Sequence, residues 1–361
     1  MQAGFSLALL AMGASSAFAG RWIDRRGGRP ALMTGCGCGA AGCALLALSH
    51  ASPVYFAGWV LLGLGMRLAL YDAAFAALAH LGGTAAKRAM SQITLFGGLA
   101  STVFWPVGQA LADALGWRGA LGVYAGLLVL CALLHLAVPR QRHEAAAPGA
   151  GPAAAATAAA PVARATRLDT WLFGLVAVLV LVMQTGVAAH FLALLRGLGW
   201  DAQAAVTLAT LLGIGQFTAR AWVVAWGHRY DAVWLNLLPC ALLAASYGLA
   251  LAAGGAWIGA AAFAFCYGAG NGMATITRGA MPLLLFDTAH YGRIVGGLLR
   301  PAFVLSAGAP VAVALALQHW GQAGTLAAGL LTSALLLAAA LGLAWRHGRR
   351  QRAAARVGSG A

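Results

Sequence analysis

The sequence predicts an all-α polytopic membrane protein, and three observations carry that prediction. Of its 361 residues, 61% are hydrophobic and 9% charged, whereas a soluble domain carries about 25% charged residues. Eleven apolar segments reach the length of about 20 residues that a bilayer core demands of a helix. The remaining charge gathers in the short connections between them and in the C-terminal tail.

The segments lie near residues 3–20, 30–49, 54–80, 89–111, 119–139, 170–195, 202–226, 232–253, 256–281, 293–317 and 323–345. Alternation places the 20–29 hairpin, the Lys87-Arg88 loop, the 140–168 stretch, the Gly227–Asp231 loop, the Phe286–Arg293 loop and the tail on one side. That side holds seventeen of the 23 basic residues; the opposite side holds Arg118 and Arg196. Basic residues favour the cytoplasmic side, so the C-terminus is expected there. The Ala-, Gly- and Arg-rich composition points to a bacterial inner membrane. The net charge of +15 rests on arginine throughout, except for the single lysine, Lys87. Because these charges flank membrane segments they read as topology signals, and no nucleic-acid partner is expected; the partner is the lipid bilayer. The N-terminal Gly4–Ala19 ends like a signal peptide in Ala17-Phe18-Ala19, but it lacks a basic leader and reads as a retained helix.

The most charged short stretch is Gly20-Arg-Trp-Ile-Asp24-Arg25-Arg-Gly27-Gly-Arg29, a tight hairpin between two apolar segments. The pattern Gly20-x-x-x-Asp24-Arg25-x-Gly27-x-Arg29 resembles the loop between helices 2 and 3 of the major facilitator superfamily of secondary transporters, with Gly28 where that family usually has a basic residue. The resemblance implies two helical bundles that rock around a central site. It registers the eleven segments as family helices 2–12, the first of twelve lacking. The division expected is an N-terminal bundle over 1–139, a flexible cytoplasmic linker over 140–168, a six-helix bundle over 169–345 and a basic tail over 346–361. The same resemblance makes Gly20, Asp24, Arg25, Gly27 and Arg29 a conformational latch in which Asp24 engages the start of helix 11. The halves echo one another at an offset near 205: Gly20-x-x-x-Asp24 with Gly227-x-x-x-Asp231, Lys87-Arg88 with Arg293, Pro106 with Pro310, and Gly116-Trp117 with Trp320-Gly321. Parallel repeats of this kind build many transporters.

Nothing suggests an enzyme. There is no phosphate-binding Gly-x-x-x-x-Gly-Lys-Ser/Thr loop and no evident nucleophile–base pair. Gly268-x-Gly270-x-Gly272 lies inside an apolar segment, where small residues serve helix packing. His143-Glu144 lacks the second His of a zinc helix, the six cysteines are scattered, and neither metal nor cofactor is expected.

The chemistry is expected from ionisable residues inside the apolar segments, which cost about 3 kcal/mol each at the bilayer centre and so face a cavity or a partner. They are Arg67 and Asp72 on helix 4, His190 on helix 7, Arg220 on helix 8, Arg278 on helix 10 and Arg300 on helix 11. The resemblance makes all of these cavity-lining helices; only His135, on helix 6, departs from the pattern. On one continuous helix Arg67 and Asp72 point about 140° apart. Asn271, Thr275 and Arg278 share one face. Gln216-x-x-x-Arg220 resembles the Asp-x-x-x-Arg pair of the monocarboxylate-transporter branch, which implies a substrate carboxylate on Arg220, with the coupling acid replaced by Gln216. The expected binding set is therefore Arg220 and Arg278 as a clamp, with Gln216, Asn271, Thr275 and Arg67. Asp72 and then His190 are the candidates for a coupled proton. The expected function is secondary transport of a small organic anion such as a monocarboxylate, by a monomer. The alternatives are a drug or metalloid efflux permease of the same fold and a non-transporting truncated remnant.

Overall fold

A computed structural model describes residues 2–139, 165–253 and 256–358. Most of the expected 140–168 linker lies outside the described residues. The rest is helical. In chain order the helices are α1 (Gln2–Arg26), α2 (Gly28–Ala47), α3 (Ser52–Ala69), α4 (Tyr71–Gly82), α5 (Ala86–Leu134), α6 (Arg167–Gly197), α7 (Ala202–Trp226), the short α8 (Ala232–Leu235), α9 (Leu237–Ala252), α10 (Trp257–Leu285) and α11 (Tyr291–Gly358). Among the described residues, eight stretches are long and apolar enough to cross a bilayer. Two of these, Ser52–Gly98 and Thr288–Arg356, far exceed one crossing at 47 and 69 residues.

Interruptions divide the long stretches. Gly116 and Gly321 have φ of 69° and 66°, the left-handed region that glycine enters without a Cβ clash, and each breaks a continuous helix in two. The two glycines occupy equivalent places in the internal repeat. The 54–80 segment, expected as one helix, is broken: Leu70 adopts extended backbone (φ −85°, ψ −172°) between α3 and α4. The fixed 140° angle between Arg67 and Asp72 therefore does not hold, because a continuous helix does not join them.

Two large cores hold the protein, beside a smaller cluster that includes Val223, Met273 and Ile276 of α7 and α10. One lies within the C-terminal half and includes Phe173, Leu194, Leu208, Leu243, Phe263 and Leu336. The other gathers α1–α5 residues such as Ile23, Phe75 and Met90, together with Tyr291, Leu299 and Phe303 of α11, so it crosses between the halves. Glycines set the closeness of α7 and α10. A Cβ on Gly268 would meet the Leu212 carbonyl at 2.1 Å, and one on Gly272 the Gln216 carbonyl at 2.8 Å. The glycine-rich run is thus a packing surface. The second part of α11 packs against α6, whereas the equivalent end of α5 leaves Trp117, Leu127, Leu130, Leu133 and Leu134 exposed. Beside it lies a cavity of about 830 Å³, lined among others by Phe5, Trp59, Trp117, Tyr124, Gln184 and Pro310.

Residues 346–358, expected as a basic tail, continue α11 and clasp the start of the C-terminal half. Asp169, fully buried, accepts from Arg346 Nε at 2.8 Å, Arg350 Nη1 at 2.5 Å and the Thr166 backbone N–H at 2.8 Å. Thr166 and Asp169 form a reciprocal capping box on α6. One turn over, Asp231 accepts from His347 at 2.9 Å and Gln351 at 3.2 Å. Burial pushes the Asp231 carboxyl up, but the bonds from His347, the Val233 N–H and Gln351 outweigh it and hold it below the ordinary carboxylate range. Removing one side of a buried ion pair costs about 3–5 kcal/mol, because the other charge is left uncompensated. A chain ended after Trp345 is therefore expected to unfold well below the full-length protein in detergent. Asp169→Asn in the shortened chain should recover part of the loss. Equal melting of the full and shortened chains would show that the clasp contributes nothing.

Candidate functional site

The halves meet along several helix pairs, and α1–α11, α5–α7 and α4–α10 among them carry polar contacts. Where α1 meets α11, Ser6 donates to the Ala307 carbonyl at 3.0 Å and Ser16 to the Gly296 carbonyl at 2.7 Å. At the end of this seam Asp24 meets the first turn of α11. Its Oδ1 accepts from the Gly292 N–H at 2.8 Å and its Oδ2 from the Arg293 N–H at 2.6 Å. The first amides of a helix lack intrahelical partners and carry the positive end of its dipole, so an anion is stabilised there. The approach needs glycine: a Cβ on Gly20 would lie 1.8 Å from the Gly292 carbonyl oxygen. Gly27 turns the chain with φ 81°. Arg25 lines a polar crevice here with Arg21, His290 and Arg293, while Arg29 sits half-buried on α2.

Where α5 meets α7, Lys87 donates to the Gly227 carbonyl at 3.0 Å and to the Tyr230 carbonyl. These groups lie just past the C-terminal end of α7, where a cation is favoured. The end of the molecule that carries the basic loops is thus bridged between the halves twice, once by a carboxylate on amides and once by an ammonium on carbonyls. The sequence singles out Lys87 as the sole lysine but gives it only a topological meaning; its partners lie 140 and 143 residues away.

Deeper in the molecule, the break at Leu70 turns two neighbouring residues toward different partners. Asp72 pairs with Arg278 of α10, Oδ1 to Nη2 at 3.3 Å, with both side chains largely buried. Tyr71 lies within electrostatic reach of Arg220 of α7. Arg67, at the end of α3 and 2% exposed, donates from Nε to Ser16 Oγ at 3.0 Å and from Nη2 to the Ser16 carbonyl at 3.2 Å. Arg67, Asp72, Arg278 and Tyr291 lie within electrostatic reach of one another. Tyr291 donates to the Gly279 carbonyl at 2.8 Å. The Nη1 atoms of both Arg67 and Arg278 are buried without a hydrogen-bond partner.

The expected set is only partly brought together. Arg278 lies with Asp72 and Arg67. Arg220 is buried and donates from Nη1 to the Thr94 carbonyl at 3.1 Å and from Nε toward the Gly272 carbonyl at 3.5 Å. Asn271 and Thr275 are buried, and their side chains bond back to carbonyls of their own helix, Tyr267 and Asn271, at 2.9 and 3.0 Å. Gln216 packs by its backbone on Gly272. His190 shares a hydrogen bond of 2.9 Å with the Pro310 carbonyl, which ties α6 to α11. Arg300 is exposed on α11.

Apolar helices bridged at one end, with buried charge where the two halves of the sequence meet, agree with a transporter fold. The sequence matches the family description of the Major Facilitator Superfamily over residues 1–298, and the chain belongs to that family. No curated protein matches the sequence. Among solved structures it is similar to the human organic anion transporter MFSD10 (TETRAN), with 18% identity over 94% of this chain and 83% of that one and a TM-score of 0.72. It is also similar to the E. coli fucose:proton symporter FucP, with 17% identity, coverage of 96% and 90%, and a TM-score of 0.69. The proton:xylose symporter XylE bound to 6-bromo-6-deoxy-D-glucose follows, with 15% identity, coverage of 91% and 84%, and a TM-score of 0.68. At these identities the likeness is one of fold. The chain is a multi-pass membrane protein with the transporter fold of its family.

Proposed function

We propose that this chain is a secondary active transporter of a small organic anion, such as a monocarboxylate, working by alternating access in a bacterial inner membrane. In this reading it acts as a monomer, its apolar segments matching family helices 2–12, with the basic end and the C-terminus in the cytoplasm. The observation that carries the reading is the burial of Arg67, Arg220 and Arg278 where the halves meet, with Asp72 paired to Arg278 as the carboxylate among them. Guanidinium groups bind carboxylates through a planar fork of donors, and burial without water strengthens each such bond. The similarity to an organic anion transporter agrees in substrate class. Within the set, Arg278 and Arg67 take the substrate, and Arg220 joins α7 to α5 through Thr94. Gln216, Asn271 and Thr275 support them from α7 and α10. Asp72 is the first candidate for a coupled proton, and His190 the second.

A second reading rests on the 830 Å³ cavity, whose walls include Phe5, Tyr55, Trp59, Trp117 and Tyr124. Walls of that kind suit an apolar or cationic aromatic solute, and export of such solutes by the same fold is the competing function. Uptake into proteoliposomes separates the two. Labelled lactate is expected to enter faster than glucose or a lipophilic cation, and faster still with an acidic exterior if Asp72 carries a proton. Movement of the cation without any monocarboxylate would replace the anion reading by the export one.

A further inference from the structure

The buried cluster at the α3–α4 break has an unbalanced charge, and the residue that limits the imbalance is Asp72. Arg67 and Arg278 bring two positive charges, and Asp72 brings one negative charge, paired to Arg278 at 3.3 Å. Tyr291, the other titratable group facing them, is hydrogen-bonded through its hydroxyl to the Gly279 carbonyl. The cluster thus carries one net positive charge among side chains that are 2% exposed for Arg67 and 8% for Arg278. Two of its donors, Arg67 Nη1 and Arg278 Nη1, are buried without partners. An unpaired buried donor on a charged group costs more than a neutral one, so these two atoms mark where an acceptor gains most.

The break adds a second feature. Because α3 ends at Ala69 and α4 starts at Tyr71, a twelve-residue helix begins inside the apolar segment, with Leu70 as a cap that offers no side-chain acceptor. The Ala73 and Ala74 amides bond the Leu70 carbonyl at 3.0 Å. The positive end of the α4 dipole therefore lies beside Asp72 and the guanidinium of Arg278. Half-helices that begin inside a membrane offer this end to anionic groups.

We infer that Asp72 is a charge filter: the cluster of Arg67, Asp72, Arg278 and the α4 N-terminus accepts one carboxylate, and the ionised Asp72 excludes a second. The inference rests on the organic-anion reading and makes it narrower. A monoanion brings the charge of the cluster to zero. A dianion of the same carbon skeleton places its second carboxylate against Asp72, where like charges in a buried setting repel. Asp72 acts as a specificity-determining residue through repulsion, the unfavourable half of selectivity. Substituting it by asparagine raises the cluster by one positive charge while keeping shape and size.

The test uses full-length protein in lipid nanodiscs at neutral pH. Two matched pairs serve as probes: lactate against malonate, and benzoate against phthalate. Affinity is read by thermal stabilisation and by competition with the labelled monoanion. Wild-type protein is expected to prefer the monoanion of a pair. Asp72→Asn is expected to narrow or invert that preference by at least about tenfold, equivalent to ~1.4 kcal/mol. A second variant keeps the test sound if Asp72→Asn fails to fold. Arg67→Gln, which removes one positive charge, should weaken both members of a pair, the dianion at least as much as the monoanion, so that the preference for the monoanion is kept or widened. An Asp72→Asn protein that binds the monoanion with the wild-type ratio overturns the filter and leaves the anion reading standing. An Arg67→Gln protein that binds the monoanion as wild type does overturns the cluster as its seat. Wild-type protein that binds none of the four carboxylates overturns the anion reading and the filter together.

Discussion

Arg278→Lys is expected to lower transport of the substrate anion by roughly 10–100-fold, because hydrogen bonds to charged groups contribute about 1.5–3 kcal/mol each. Lysine keeps the charge, so the pairing with Asp72 survives in part. What it loses is the planar fork that lets one nitrogen hold Asp72 while another addresses a ligand. Here Nη2 faces Asp72 at 3.3 Å, and Nη1 is the buried atom without a partner. The loss should therefore appear mainly in the affinity for substrate. Arg220→Lys should behave differently, since Arg220 spends its donors on the Thr94 and Gly272 carbonyls. Its replacement should disturb the contact between α5 and α7, and so the rate of exchange between conformations, more than affinity. Kinetic constants from proteoliposome uptake check both. Normal transport by Arg278→Lys would remove Arg278 from the binding set.

The second large effect is expected at the Gly20–Arg29 hairpin. Asp24→Asn should reduce transport about tenfold while equilibrium affinity for the substrate changes by less than about twofold, since an anion at a helix N-terminus contributes 0.3–2 kcal/mol. The carboxylate accepts one N–H on each oxygen, from Gly292 at 2.8 Å and Arg293 at 2.6 Å. Asparagine supplies one acceptor and turns an NH₂ donor toward the other amide. The bridge between α1 and α11 then weakens, with Lys87 on the Gly227 and Tyr230 carbonyls left as the second bridge at that end. Thiol labelling of a cysteine placed beside Arg293 reads the opening directly, and it should be faster in the variant. Unchanged labelling together with a large loss of affinity would move Asp24 from latch to binding site.

The fold was legible because a membrane leaves few options: apolar segments of bilayer length must be helices, and arginine in the connections orders them. The Gly20 hairpin was legible for a local reason, since a carboxylate and a glycine must approach a second helix end closely, and that fixes residue types at fixed spacing. The break at Leu70 was not legible. Leu68-Ala-Leu-Tyr-Asp72 contains neither glycine nor proline, and nothing local forbids a continuous helix. The partners of Arg278 and Arg220 lie on other helices, and spacing within one helix cannot reveal them. The asparagine–threonine stripe followed helical periodicity correctly, yet Asn271 Nδ2 and Thr275 Oγ1 both donate to carbonyls of their own helix. The clasp on Asp169 had a readable half: Thr166-x-x-Asp169 before an apolar run is a helix-start signature. Its other half, Arg346 and Arg350, lies 177 and 181 residues away.

Counterflow in proteoliposomes tests the central claim most directly. Vesicles are loaded with unlabelled lactate, and tracer lactate is added outside with no pH gradient, so that the outward lactate gradient is the only driving force. Exchange through an alternating-access anion site should draw the tracer in transiently, and Asp72-bearing protein with Arg67→Gln or Arg278→Lys should not show the overshoot. Tracer that equilibrates no faster than in protein-free vesicles, across a panel of monocarboxylates, would contradict an organic-anion transporter.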